Sequence, residues 1–361
     1  MSNYISERRT VTFMPDASTG NPYQSLLASE LTNRGIEVSY LPTKLFELFK
    51  YTIGKPKSAL HLHWADKYIL SDSYLKTLCK VIAAIICLVM LRLRGVRHFY
   101  TFHNLTNHEN RFIPLEKLFF FLYFKMVNTV FCHCEASQSS LKELYGNAVA
   151  KRSVITPHGH YIGSYPALSD QHETKINLDI PTDATVFLFF GQIRAYKGVT
   201  DLLKIFHGIS DSNARLIIAG RIMSKDEVNV INDLAKQDSR VILRSGYVSD
   251  EDLSTLFSAA DVFVSPFKDI LTSGSIVLAA SNGLPCIAPA IGCIPDTLPP
   301  SYNWLYDASD PFGIKNSLLA ALSTKENLHG FGAQNLSHIK KKGDWREIAK
   351  VVSAEYGMEK D

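Results

Sequence analysis

The chain lacks most of the features that would assign it cheaply. It has no strong charge: 38 Lys and Arg stand against 35 Asp and Glu, a formal +3. That balance argues against nucleic acid as a partner. Its six cysteines show no CxxC pair and no secreted-scaffold spacing, so they read as reduced core thiols of a cytosolic protein. The first ten residues, MSNYISERRT, lack a signal-peptide apolar core. No run reaches the roughly 18 apolar residues of a membrane span. No G-x-G-x-x-G follows the first strand, no DxD pair stands at a strand end, and no repeat or low-complexity tract is visible.

What is present is a globular composition, 46% apolar and 20% charged, over 361 residues. That length is comfortable for two domains. Val186 to Gly198, VFLFFGQIRAYKG, organises the reading. A continuous apolar run stopped by Gly191 reads as a strand buried on both faces, as in a parallel α/β sheet. Arg194 and Lys197 then lie on the loop leaving its carboxyl end, where such sheets bind ligands. Two cations there suit a phosphate, or are simply solvated charges.

The same alternation runs along the chain. Strands are expected at Arg9–Pro15, Ile36–Leu41, Ala59–Trp64, Arg97–Phe102, Thr129–His133 and Ser153–Thr156. Five more follow at Val186–Phe190, Ala214–Ala219, Arg240–Leu243, Val262–Ser265 and Pro285–Ala288. Helices between them include one capped by Asn21 with Pro22 at its first position, others over 71–94, 115–126 and 199–207, and one capped at Ser249. Such alternation implies parallel sheets covered on both sides. The turn-rich Gly159–His172 stretch places a domain boundary, giving 1–165, 166–344 and a C-terminal amphipathic helix over 345–361.

Two apolar segments with basic flanks have two readings each. Val81–Leu91 and Leu115–Val127 are either buried helices or helices lying on an anionic membrane face.

Four constellations could carry chemistry. The loop TFHNLTNHE holds His103, Asn104, His108 and Glu109 within seven residues, and His and Glu are the usual proton-transfer groups at neutral pH. A metal at His103 and His108 is poorly supported by that spacing. In PFKDILTSGSIVLAASNGLP, Thr272, Ser273, Gly274 and Ser275 precede an apolar helix and could form an anion site at its amino end. Asp269 would repel phosphate and suits sugar or ribose hydroxyls. In Cys132-His133-Cys134, strand alternation puts the cysteines on one face and His133 on the other, as packing residues. His158, in TPHG at the hinge, either faces a cleft or is only a loop residue.

The pattern G-x-I-R-x-Y-K-G at Gly191–Gly198, with Ala219-Gly220, Tyr247–Ala260 before DVFVSP, and NGLPCIA at Asn282–Ala288, resembles the GT-B glycosyltransferases, family 4 in particular. Asn21-Pro-Tyr-Gln and Thr101-Phe-His-Asn resemble the N-domain loops of a bacterial polysaccharide subgroup, so the likeness spans nearly the whole chain. It implies an α/β GT-B fold of two tandem Rossmann-like domains with parallel sheets facing across a cleft. The first would take the acceptor and the second the nucleoside-diphosphate sugar, with no cofactor and no metal. It implies Arg194 and Lys197 on the donor diphosphate, with Ser273, Gly274 and Ser275 beside them. Asp269, Thr272 and Gly220 would line the donor sugar and nucleoside. Gly20, Asn21, Asn104 and His108 would be N-domain loop positions, and His103 would lie against the donor sugar. His103 or Glu109 would orient or deprotonate the acceptor, a glycan or lipid-linked sugar. The expected place is the cytoplasm, peripheral on the cytoplasmic face of the plasma membrane.

The family usually carries two glutamates where Ile270 and Leu278 stand here. Their absence leaves the stereochemical outcome open, and with it a non-catalytic donor-binding subunit. A nucleotide-sugar epimerase shares the fold type.

Overall fold

The computed structural model describes residues 9–18, 20–107 and 109–358. The chain divides into two compact units, one of residues 1–157 with 345–361, the other of 158–344. The division falls eight residues before the boundary drawn from composition.

The first unit holds six parallel strands: β1 (Thr10–Met14), β2 (Glu37–Tyr40), β3 (Ala59–Leu62), β4 (Arg97–Phe102), β5 (Thr129–Cys132) and β6 (Ser153–Ile155). Their spatial order is β2-β1-β3-β4-β5-β6. The order reverses between β1 and β3, so that is where an open sheet of this kind leaves a crevice. β1, β3 and β5 are buried throughout, and their sequences are apolar apart from Thr10, Thr12, His61 and Thr129. The helix Pro22–Asn33 starts as expected: the Asn21 side chain accepts from the Tyr23 amide, and Pro22 occupies the first turn. It packs against the C-terminal helix Trp345–Glu355. Trp345, Ile348, Val352 and Tyr356 thereby complete a core with Phe13, Tyr23, Leu27 and Phe99.

The second unit holds β7 (Thr185–Phe190), β8 (Ala214–Gly220), β9 (Val241–Ser245), β10 (Val262–Val264), β11 (Cys286–Pro289) and β12 (Trp304–Tyr306). Their order is β12-β11-β10-β7-β8-β9, again all parallel. This is the doubly wound arrangement, with its switch point between β7 and β10. The core gathers Phe187, Phe189, Leu202, Phe206, Ile218 and Val264.

Eleven of the twelve strands were expected; β12, three half-buried residues, carries too short a signal. The helix Leu45–Ile53 was missed because Lys44 supplies no side-chain cap. Of the six thiols expected to be reduced and in the core, Cys87, Cys132 and Cys286 are free and buried, Cys79 is free but exposed, and Cys134 and Cys293 are disulfide-bonded, which corrects the reading for those two.

Candidate active site

In the second unit the two loops singled out from sequence meet at the switch point. The loop leaving β7 makes one 3-10 turn, Ala195–Lys197, and Gly198 then turns left-handed, at φ +68°, to start the helix Val199–His207. A Cβ on Gly198 would lie 2.1 Å from the Pro266 carbonyl oxygen, so glycine lets this loop touch the one leaving β10. The Lys268 amide donates to the Tyr196 carbonyl at 2.7 Å and locks the two together. At the end of β8, Gly220 (φ +139°) packs on Gly191, where a Cβ would stand 2.0 Å from the carbonyl oxygen. Gly220 is thus a close-approach residue beside the loop.

Arg194 donates through Nε and Nη2 to the Gln192 side-chain oxygen. Lys197 Nζ sits 5.6 Å from the centre of the Phe267 ring. Loss of solvent, helped by the Arg194 charge, pushes the Lys197 amine down to about 8. Among the described residues no carboxylate pairs with either cation. A crowded cation pair without a counter-ion is a standing demand for an anion.

Across from it, Ser273 caps the helix Gly274–Ser281 by accepting from the Ile276 amide at 3.3 Å, and its Oγ lies 3.1 Å from Ser275 Oγ. Thr272, Ser273, Gly274 and Ser275 are all half-buried, placing hydroxyls and free amides at one helix start. Asp269 is exposed on the same loop. Ile270 is half-buried and Leu278 buried, so the positions where the resembling family carries glutamates are apolar packing sites here.

In the first unit the picture differs from the sequence reading. His103 is buried and stacks on Trp64 (centroids 4.4 Å, 17°), with the Tyr23 ring edge-on at 5.1 Å. Its Nε2 lies 3.2 Å from His63 Nδ1, and its Nδ1 lies 3.3 Å from His133 Nε2. His133 Nδ1 is 3.0 Å from the Thr156 carbonyl. Because a carbonyl only accepts, that nitrogen carries the hydrogen. When His103 is in its neutral form, the order then propagates. His133 Nε2 accepts from His103 Nδ1–H, and His103 Nε2 accepts from His63 Nδ1–H. His61 stacks on His63 at 4.3 Å and contacts Tyr356 Oη and Thr101 Oγ1. Burial lowers His61 to about 3, His133 to about 4, and His63 well below its ordinary value.

Sequence reading missed this cluster and treated His133 as packing. β5 ends at Cys132, and Cys134 caps the helix Glu135–Tyr145, so strand alternation does not extend across all three residues. Phe102 pairs with Cys132, and the next residues on each strand, His103 and His133, leave side by side. His61 and His63, alternate positions of an apolar strand, were the available signal.

Glu109 does not join His103. It is exposed and pairs with Arg111 at 3.6 Å. The loop is ordered instead by Glu116, whose buried carboxylate accepts from the Asn107 amide (3.1 Å) and Nδ2 (2.7 Å). Burial raises its pKa. Asn104 is half-buried; Gly20 lies in an exposed turn whose amide donates to Ala17; His108 lies outside the described residues. Gln24, the last residue of the Asn21-Pro-Tyr-Gln motif, ties the loop after β1, accepting from the Ala17 amide and donating to the Pro15 carbonyl. His158, at the start of the second unit, is half-buried with Nδ1 2.9 Å from the Gly159 carbonyl and its ring against Tyr161. The described residues hold no group of three or more His, Cys, Asp or Glu that could bind a metal ion.

Two parallel doubly wound units, one carrying an unpaired cation pair at its switch point, have the GT-B glycosyltransferase fold. Residues 170–337, most of the second unit, match the family of glycosyl transferases group 1, and the chain as a whole has the fold of the solved GT-B glycosyltransferases it resembles. The GDP-mannose:glycolipid 4-beta-D-mannosyltransferase of Xanthomonas campestris pv. campestris is 26% identical over 312 residues, 84% of this chain and 80% of that protein. The Anabaena Alr3699/HepE structure, in complex with UDP-glucose, superposes with a TM-score of 0.75 at 13% identity, covering 96% of this chain and 99% of that one. The sucrose-phosphate synthase of Thermosynechococcus elongatus has the same TM-score at 16% identity, covering 96% and 98%.

Proposed function

We propose that this glycosyltransferase moves a hexose from a nucleoside-diphosphate sugar to a lipid-linked glycan in polysaccharide assembly, without a metal. The observation carrying the donor assignment is the pair Arg194 and Lys197, crowded, without a carboxylate partner among the described residues, on a loop tied to the one that leads into the helix start at Ser273–Ser275. The pair would neutralise charge growing on the leaving diphosphate, the work a metal ion does elsewhere. Thr272 and Asp269 would meet donor hydroxyls. On the first unit, His103 is the group held for contact with sugar, and Glu109 is set aside by its exposure. A lipid-linked acceptor follows from the likeness to a glycolipid mannosyltransferase. Such an acceptor would hold the enzyme at the cytoplasmic face of the plasma membrane as a peripheral protein.

The test is product analysis with GDP-mannose and UDP-glucose in turn, a lipid-linked oligosaccharide acceptor, and excess EDTA throughout. Transfer to the acceptor is the expected result. Epimerised free donor, or donor binding without turnover, would replace this reading. Loss restored only by Mg²⁺ would remove the metal-free part.

A further inference from the structure

The first sheet is covered unequally. Right-handed crossovers in the order β2-β1-β3-β4-β5-β6 send the helices Leu45–Ile53, Tyr74–Leu93 and Ile113–Tyr123 to one face, and Pro22–Asn33 to the other. The first three pack side by side, Tyr74–Leu93 in the middle.

The middle helix carries apolar side chains on both its buried and its exposed face. Thr77, Val81, Ala84, Leu88 and Leu91 are buried toward the sheet. On the opposite side Leu75, Cys79, Ile82, Ile86, Met90 and Leu93 form an exposed stripe at helical spacing, with Leu75 72% and Leu93 82% exposed. Its neighbours extend the stripe: Phe46, Phe49 and Ile53 on one flank, Leu118 and Phe121 on the other, all exposed. Contiguous apolar surface of this kind marks a partner or a membrane.

Charge decides which. Residues 44–53, 74–94 and 113–125 carry eight lysines and arginines against two glutamates, and Glu116 is one of those two and is buried. On each flank a lysine lies over an exposed aromatic ring, Lys50 4.6 Å from Phe46 and Lys125 4.4 Å from Phe121. Apolar side chains in a plane, with aromatic–lysine pairs at its edges, fit the boundary between acyl chains and anionic headgroups.

We propose that these three helices seat the protein on an anionic bilayer. The helix Tyr74–Leu93 is long and apolar enough to span a membrane, about 30 Å at 1.5 Å per residue. It lies flat instead, because its other face is core of the first unit. The Leu45–Ile53 flank was invisible in the sequence, and with it the breadth of the seat. The proposal rests on the lipid-linked acceptor reading, whose purpose it would serve by bringing acceptor and enzyme into one plane.

The experiment is flotation of the full chain with phosphatidylcholine vesicles, with and without about 30% phosphatidylglycerol. Wild type is expected to bind only the anionic vesicles and to release in about 0.5 M salt. The variant Leu75→Gln/Ile82→Gln/Leu93→Gln changes exposed residues only, so it should fold as wild type by circular dichroism. It should lose vesicle binding at least tenfold while retaining transfer to a detergent-solubilised acceptor. Lys50→Glu/Lys125→Glu should weaken binding to the anionic vesicles, so that release needs less salt than for wild type. Wild-type binding by the triple variant would overturn the proposal. So would binding to neither vesicle while transfer persists, or a wild-type dimer that the triple variant dissolves. Vesicle binding without transfer from any donor would instead overturn the enzymatic reading and leave the membrane seat standing.

Discussion

The two units share a fold and use their strand ends in opposite ways. The first unit fills the ends of β3, β4 and β5 with buried imidazole rings: His61, His63, His103 and His133, packed against Tyr23 and Trp64. The second sets Arg194, Lys197 and a run of hydroxyls around β7 and β10, half-buried. Such a buried cluster is a poor diphosphate site, because burial disfavours the charged form of His61, His63 and His133. A half-solvated cation pair cannot orient a neutral hydroxyl with comparable specificity. The same scaffold thus presents charge at one switch point and hydrogen-bonding rings at the other.

The largest expected effect breaks the charged side. If Arg194 and Lys197 clamp the diphosphate, each charge-assisted contact contributes roughly 1.5–3 kcal/mol. Arg194→Ala and Lys197→Ala should therefore each lower kcat/KM by about 10- to 150-fold. The loss should exceed the loss in nucleoside-diphosphate affinity, since charge grows in the transition state. Arg194→Lys should rescue only in part, lacking the bidentate fork. Wild-type diphosphate affinity in all three, measured by calorimetry, would move the donor site elsewhere.

The neutral side should break less steeply. His103→Ala should cost about 100-fold in kcat with the fold retained. The tautomer order derived above leaves Nε2 as the basic nitrogen, already accepting from His63. His103→Gln therefore separates positioning from proton transfer: recovery to within a few-fold of wild type means the ring holds its neighbour and does not take a proton. Unchanged turnover in folded His103→Ala would take the residue out of the mechanism.

How much of this could be read beforehand follows from locality. The loop after β7 was legible because its strand, glycines and cations are contiguous within thirteen residues. The loop after β10 was legible for the same reason. The histidine cluster joins residues 61, 63, 103 and 133 through strand pairing, and no local pattern reports such pairing. Glu109 misled because nearness along a loop was taken as nearness in space. The membrane face was half legible: two helices announced themselves by long apolar runs, while Leu45–Ile53 has neither cap nor length.

Acid should separate the units. His61 and His133 titrate at about 3 and about 4 when folded, His98 at about 4, against 6.5 in the unfolded chain. Between those values the unfolded state binds more protons, so stability rises with pH and falls on acidification from about 6.5 toward 4. Each such histidine costs up to about 1.4 kcal/mol per pH unit inside that window. All three lie in the first unit. Hydrogen exchange at pH 7 and pH 5 should show its strands losing protection first. Equal loss in β7 and β8 would contradict the neutral-cluster account.

The smallest effect, confined to one ionisation, sharpens the comparison furthest. Lys197 is charged below about 8 and neutral above it in the free enzyme. A bound diphosphate stabilises the ammonium and raises that value. Since kcat/KM reports the free enzyme and kcat the complex, kcat/KM should fall above pH 8, toward tenfold per unit at the steepest, while kcat stays level. Lys197→Arg should abolish the fall, because guanidinium keeps its proton. The first unit cannot produce this signature, since its histidines are already neutral there. A parallel decline of kcat and kcat/KM that survives Lys197→Arg would assign the ionisation to another group and detach the lowered lysine from the donor.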